Sequence, residues 1–196
     1  ERIPALTAGG SATLAELVAA LECQRLMVRI FFSLNWQDIP EFFEENMTPW
    51  MTEFAKYLNY ANPALVNLKE DNLSGPIERL QANIIENLNL YAGKYEEEFA
   101  PFLGQFTQIV WQLLVTVPSQ PKYDSLVTSA ITFLNSVCSK KMNMGLFTDP
   151  ILQQVIEVIV VKNLTATDAD EELFEMNPQD YIRKDIEGSD ANTRRR

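Results

Sequence analysis

Apolar residues recur every three or four positions along almost the whole chain, and this period restricts the fold more than any other feature. Phe43, Met47, Trp50, Met51, Phe54 and Leu58 draw one stripe down a helix. The same spacing joins Ile77, Leu80, Ile84, Leu88 and Tyr91, then Phe99, Phe102, Phe106, Ile109, Val110 and Leu113. It returns in Leu126, Ala130, Ile131, Leu134 and Cys138, and again in Ile151, Leu152, Val155, Ile156 and Ile159. Leu14, Leu17, Val18 and Leu21 seed a first helix that is predicted to run to Leu34. No alternating run with turn chemistry demands a hairpin, and the β-branched Val158–Val161 run continues the preceding stripe and is read as helix.

Pro40 and Pro63 flank the second helix, Gly75-Pro76 opens the third, and Pro118 and Pro121 bracket the turn before the fifth. Helices starting near Leu14, Ile77 and Leu126 are each followed by a partner, near Pro40, Phe99 and Phe147. A two-helix unit of about 50 residues is close to the HEAT repeat. The predicted fold class is therefore all-α: an α-solenoid of HEAT-type antiparallel helix pairs, a fragment of a longer superhelix. Residues 1–196 are expected to form one segment, about three helix pairs and the start of a further helix near Arg194-Arg195-Arg196. A plain helical bundle is the competing arrangement.

The chain has no histidine, which removes Ser-His and Cys-His pairs and the usual zinc sites. Its formal net charge of -11 repels a phosphate backbone and attracts basic protein surfaces, so nucleic acid is not an expected partner. No apolar run reaches the roughly 18 residues of a membrane span, and no membrane insertion is expected. Cys23 and Cys138 lie in apolar helical stretches and read as reduced core thiols of a reducing compartment. Trp50 and Trp111 fall on apolar stripes and read as core.

The stretch 165–189 differs in character. Asp168, Asp170, Glu171, Glu172, Glu175 and Asp180 follow one another without a basic residue between them, and the segment reads as a long acidic insertion within a repeat. Two roles are open to it: a solvated loop, or an arm that engages a basic partner surface. The 1, 3, 5 spacing of Asp168, Asp170 and Glu172 suggests a calcium loop, but Leu173 stands where glycine is needed and Gln179 where glutamate is needed. No metal, cofactor or catalytic residue is assigned. Ser189 and Asp190 suit the start of a helix, and Arg194, Arg195 and Arg196 are able to pair with the insertion or with an acidic partner.

Several runs carry a resemblance. Phe31-Phe32-Ser33-Leu34-Asn35-Trp36-Gln37-Asp38-Ile39-Pro40-Glu41-Phe42-Phe43, Trp111-Gln112-Leu113-Leu114-Val115-Thr116 and Lys122-Tyr123-Asp124-Ser125-Leu126-Val127 are similar to the importin-alpha re-exporters, the cellular apoptosis susceptibility exportins. That family lies within the importin-beta (karyopherin) superfamily. The resemblance extends through Asp170-Glu171-Glu172-Leu173-Phe174-Glu175, Tyr181-Ile182-Arg183-Lys184-Asp185-Ile186-Glu187-Gly188-Ser189-Asp190 and Thr193-Arg194-Arg195-Arg196. Thr165-Ala166-Thr167 lacks the basic residue expected of relatives, and the loop from Asn59 to Pro76 departs from the pattern.

The resemblance implies a nuclear export receptor that binds importin-alpha together with Ran-GTP and shuttles between nucleus and cytoplasm, with contacts to the nuclear pore. It implies no enzyme activity. It places the acidic stretch in the family's eighth-repeat insertion, near Ran and cargo, and puts second helices on the concave face. Candidate partner contacts are Asp170, Glu171, Glu172, Asp185, Glu187, Asp190, Arg194, Arg195 and Arg196. A HEAT scaffold without nucleotide control is the alternative, and a carboxylate-based hydrolase is a distant third.

Overall fold

Two layers of helices stacked pair upon pair account for the apolar stripes. The computed structural model describes residues 13–66, 74–140, 143, 145 and 148–187, the side chains of positions 66, 169, 185 and 186 excepted. Helix α1 spans Leu14–Asn35, α2 Glu41–Glu45, α3 Met47–Leu58 and the single turn α4 Pro63–Val66. Helix α5 spans Pro76–Lys94, α6 Glu96–Thr116 and, after a 3-10 turn at Pro121–Tyr123, α7 Asp124–Cys138. Helix α8 (Asp149–Gln154) passes through a π-helical stretch, Val155–Val160, into α9 (Val161–Leu164). Helices α10 (Asp168–Met176) and α11 (Pro178–Glu187) follow, and no strand occurs among the described residues.

The first helices pack on one another in order, α1 on α5 and α5 on α7, while α3 packs on α6 and α6 on the π-helical stretch. Helix α5 is sandwiched, so twelve of its nineteen residues are buried, against five of twenty-two in α1. Aromatic rings run through the interior: Phe31, Phe54, Tyr91, Phe99, Phe106 and Phe133 are all essentially inaccessible. Two directional bonds fix the register of α1 on α5. The Tyr91 hydroxyl donates to Asn35 Oδ1 at 3.0 Å, and the Tyr95 hydroxyl donates to the Asn35 carbonyl at 2.6 Å.

Three expectations change. The second helix is broken at Asn46, which leaves helical geometry (φ -106°, ψ 23°) and sends Nδ2 back to the Phe42 carbonyl at 2.8 Å. That side-chain bond competes with continuation of the helix. Cys23 is exposed and is not a core thiol, because it lies with Leu26, Met27, Ile30 and Leu34 on the face of α1 turned away from α5. Cys138 is half-buried, and burial raises its thiol pKa. The acidic insertion is helical rather than a loop, since α10 and α11 occupy most of it. Trp50 and Trp111 pack against the core as expected, while Phe147 lies outside the described residues.

Candidate partner-binding surface

The insertion forms a hairpin of two short helices that pack chiefly on each other. Thr167 caps α10 through a reciprocal box: its backbone N–H and hydroxyl donate to Asp170 Oδ2 at 2.9 and 2.8 Å, and the Asp170 N–H donates to the Thr167 hydroxyl at 3.3 Å. This is the Ser/Thr-x-x-acid pattern that satisfies the free amides of a helix start. Lys184 on α11 approaches Asp170 Oδ1 at 3.5 Å and ties the second helix to the first. Asn177 opens the second helix, accepting at Oδ1 from the Asp180 N–H at 3.3 Å. Phe174 and Tyr181 meet edge to face across the hairpin, their centroids 5.5 Å apart.

The candidate residues therefore separate. Asp170 is buried and engaged within the hairpin. Glu171, Glu172 and Glu187 are exposed and point to solvent. Asp185 lies on α11 with its side chain outside the described residues, and Asp190, Arg194, Arg195 and Arg196 lie outside them altogether. The hairpin also exposes Phe174 (53% exposed), Met176 (80%) and Ile182 (52%), apolar side chains that charge counting missed. Their signal was present, because bulky apolar residues in so acidic a segment have no core of their own to fill.

Thr167→Ala is expected to cost α10 about 1 kcal/mol. Amide exchange across 168–176 should rise while the melting of the stacked pairs stays unchanged. Equal exchange in the variant would mean that neighbouring helices, rather than the cap, hold α10.

The second helices present a different chemistry. Their exposed positions include Glu41, Glu44 and Glu45, then Glu97, Gln105, Gln108 and Gln112, then Gln153 and Glu157. In α6 the carboxylates Glu96, Glu97 and Glu98 gather at the amino end, where the helix dipole favours them. A cavity of about 370 Å3 between α1 and α3 is lined by Met27, Val28, Trp50, Phe54 and Tyr57 with one carboxylate, Glu53, at its rim, which pairs with Lys56 at 3.2 Å. Among the described residues no group of three or more histidine, cysteine or acidic side chains converges to hold a metal ion. None of the described helices is long and apolar enough to cross a membrane.

Comparison with known proteins assigns this architecture. The profile of the Cse1 family matches residues 5–196. The chain belongs to the Cse1 family. Exportin-2 of Drosophila melanogaster is 47% identical over 172 residues, covering 87% of this chain and 18% of that protein. Exportin-2 of Homo sapiens is 45% identical over the same extent. The solved structure titled "The exportin Cse1 in its cargo-free, cytoplasmic state" superposes with a TM-score of 0.91 at 36% identity, covering 99% of this chain and 21% of that one. The Cse1 fold over this segment is thus the HEAT-type helical solenoid that the repeat spacing predicted. The chain spans about a fifth of the length of these relatives. Cse1-family proteins are transport receptors by name, not members of an enzyme family.

Proposed function

We propose that this chain is a segment of a nuclear export receptor that binds importin-alpha cooperatively with Ran-GTP and returns importin-alpha from nucleus to cytoplasm. The observation that carries the reading is the Cse1-family match along residues 5–196, with relatives named Exportin-2. The architecture supports it. Exposed apolar stripes on α1 (Leu26, Met27, Ile30, Leu34) and on the last stacked helix (Leu152, Ile156, Val160, Leu164) suit burial under further helix pairs of a longer superhelix. Stacked pairs of this kind offer one partner a long inner surface while an appendage meets another. The exposed Glu171 and Glu172, beside Phe174 and Met176, suit a partner with basic and apolar surface.

Coupling between the two ligands is reciprocal by linkage: if Ran-GTP tightens importin-alpha binding, importin-alpha tightens Ran-GTP binding by the same factor. Importin-alpha titrated into the intact parent protein tests the proposal. Binding is expected to be tighter by one to two orders of magnitude, about 1–3 kcal/mol, with Ran-GTP present than with Ran-GDP. Equal affinity in both nucleotide states would leave a constitutive HEAT scaffold in its place.

A further inference from the structure

The carboxy-terminal turn of a helix leaves up to four carbonyls without intrahelical donors and carries the negative end of the helix dipole. A basic side chain in the last turn is the usual local remedy, yet neither α1 nor α6 has one. Each receives its cation from the next pair. Lys94, the last residue of α5, donates from Nζ to the Trp36 carbonyl at 2.7 Å and to the Gln37 carbonyl beyond the end of α1. Lys162, in α9, donates to the Leu114 and Val115 carbonyls at 3.4 and 3.3 Å and to the Val117 carbonyl, all at the end of α6. The pattern recurs at the end of α5, where Lys140, just past α7, donates to the Ala92 carbonyl and pairs with Glu96 Oε1 at 2.8 Å. Lys140 to Ala92 and Lys162 to Leu114 both span 48 residues, about one repeat. At the end of α3 a neutral donor does the same work, Gln81 Nε2 reaching the Leu58 carbonyl at 3.0 Å and the Tyr60 carbonyl at 3.3 Å.

We propose that Lys94, Lys140 and Lys162 are interlocks between successive helix pairs, each capping the carbonyl end of the preceding layer-mate and so fixing how far one pair rotates and slides on the next. Apolar faces alone tolerate small shear between packed helices. A cation held by carbonyls at the helix end does not, because a shift of one to two ångströms takes the donors out of hydrogen-bond range. Lysine suits the position, since its compact ammonium offers three donors to converging carbonyls at the end of a flexible stem. These caps set the local pitch of the superhelix, and they belong to the free chain, so they hold whether or not the export reading does.

The test is made on the intact parent protein without partners, carrying K94M, K140M and K162M together, with dyes at the two ends of this segment. Methionine keeps an apolar stem and removes the donors. Helix content by circular dichroism is expected to stay constant while the distribution of inter-dye distances widens. Amide exchange at the ends of α1 (residues 34–37) and α6 (114–117) is expected to rise roughly tenfold, the scale of a hydrogen bond to a charged group. A triple Lys→Arg variant, which retains charge and donors, should restore both. Unchanged distances and exchange in a folded Met variant would overturn the proposal, as would an Arg variant indistinguishable from Met. If the triple Met variant does not fold, K94M alone, at an exposed site, is read by exchange at 34–37 with the same two outcomes.

Discussion

Phe31→Ala is expected to lower folding stability by about 3–5 kcal/mol, the range for deleting a fully buried phenylalanine. Phe31 is 2% exposed and its ring lies against four others: Phe43 at 5.0 Å, Trp50 at 4.6 Å, Phe54 at 5.3 Å and Tyr91 at 6.0 Å between centroids. Those rings come from α2, α3 and α5, so one side chain joins the first pair to itself and to the second. Truncation removes dispersion contacts on every side and leaves a cavity that helices tied by Asn35 and Tyr91 cannot close. Domains are stable by only about 5–15 kcal/mol, so the loss is a large share of the whole. Urea unfolding measures it directly. Phe42→Ala is the control: that ring is 62% exposed, and its removal should stay within about 0.5 kcal/mol. Similar midpoints for the two variants would mean that α1 and α5 do not meet through this cluster.

Why the helices were legible and some of their details were not follows from what a period can encode. The stripe through Ile77, Leu80, Ile84 and Leu88 marked α5 because all four are buried and nothing else explains the spacing. Helix α1 carries two apolar faces, with Leu17, Leu21, Val28 and Phe31 inward and Leu26, Met27, Ile30 and Leu34 outward. Periodicity alone does not rank two such faces, which is why Cys23 read as core. The break at Asn46 was hidden because Phe43 and Met47 keep the four-residue step across it. The hairpin was masked by its acidity, although Thr167 and Asp170 already spelled a capping box and Asn177-Pro178 a helix start. The lysine caps leave no trace in the pattern. Their acceptors are backbone carbonyls about a repeat away, and any residue supplies a carbonyl.

Under the proposed export function, neutralising Glu171, Glu172 and Glu175 to glutamine in the intact parent is expected to weaken assembly with Ran-GTP and importin-alpha by roughly tenfold. Each exposed carboxylate contributes about 0.2–1 kcal/mol to a facing cation, and the three lie on one short helix, so their sum is about 0.6–3 kcal/mol, a range that contains the roughly 1.4 kcal/mol of a tenfold change. Because all three are exposed, none costs the folded chain a buried partner when changed, unlike Asp170, whose loss would open the Thr167 cap. The second signature is ionic strength. Exposed charges are screened over about 8–10 Å at physiological salt, so the affinity of the unmodified protein should fall as salt rises, and the triple variant should fall less. Losing affinity with the salt slope unchanged would point to a short-range disturbance around the exposed Phe174 and Met176 rather than to charge. Keeping both affinity and slope would return the carboxylates to the solvated face of the hairpin, with no part in the contact. Phe174→Ala then becomes the substitution expected to release the partner.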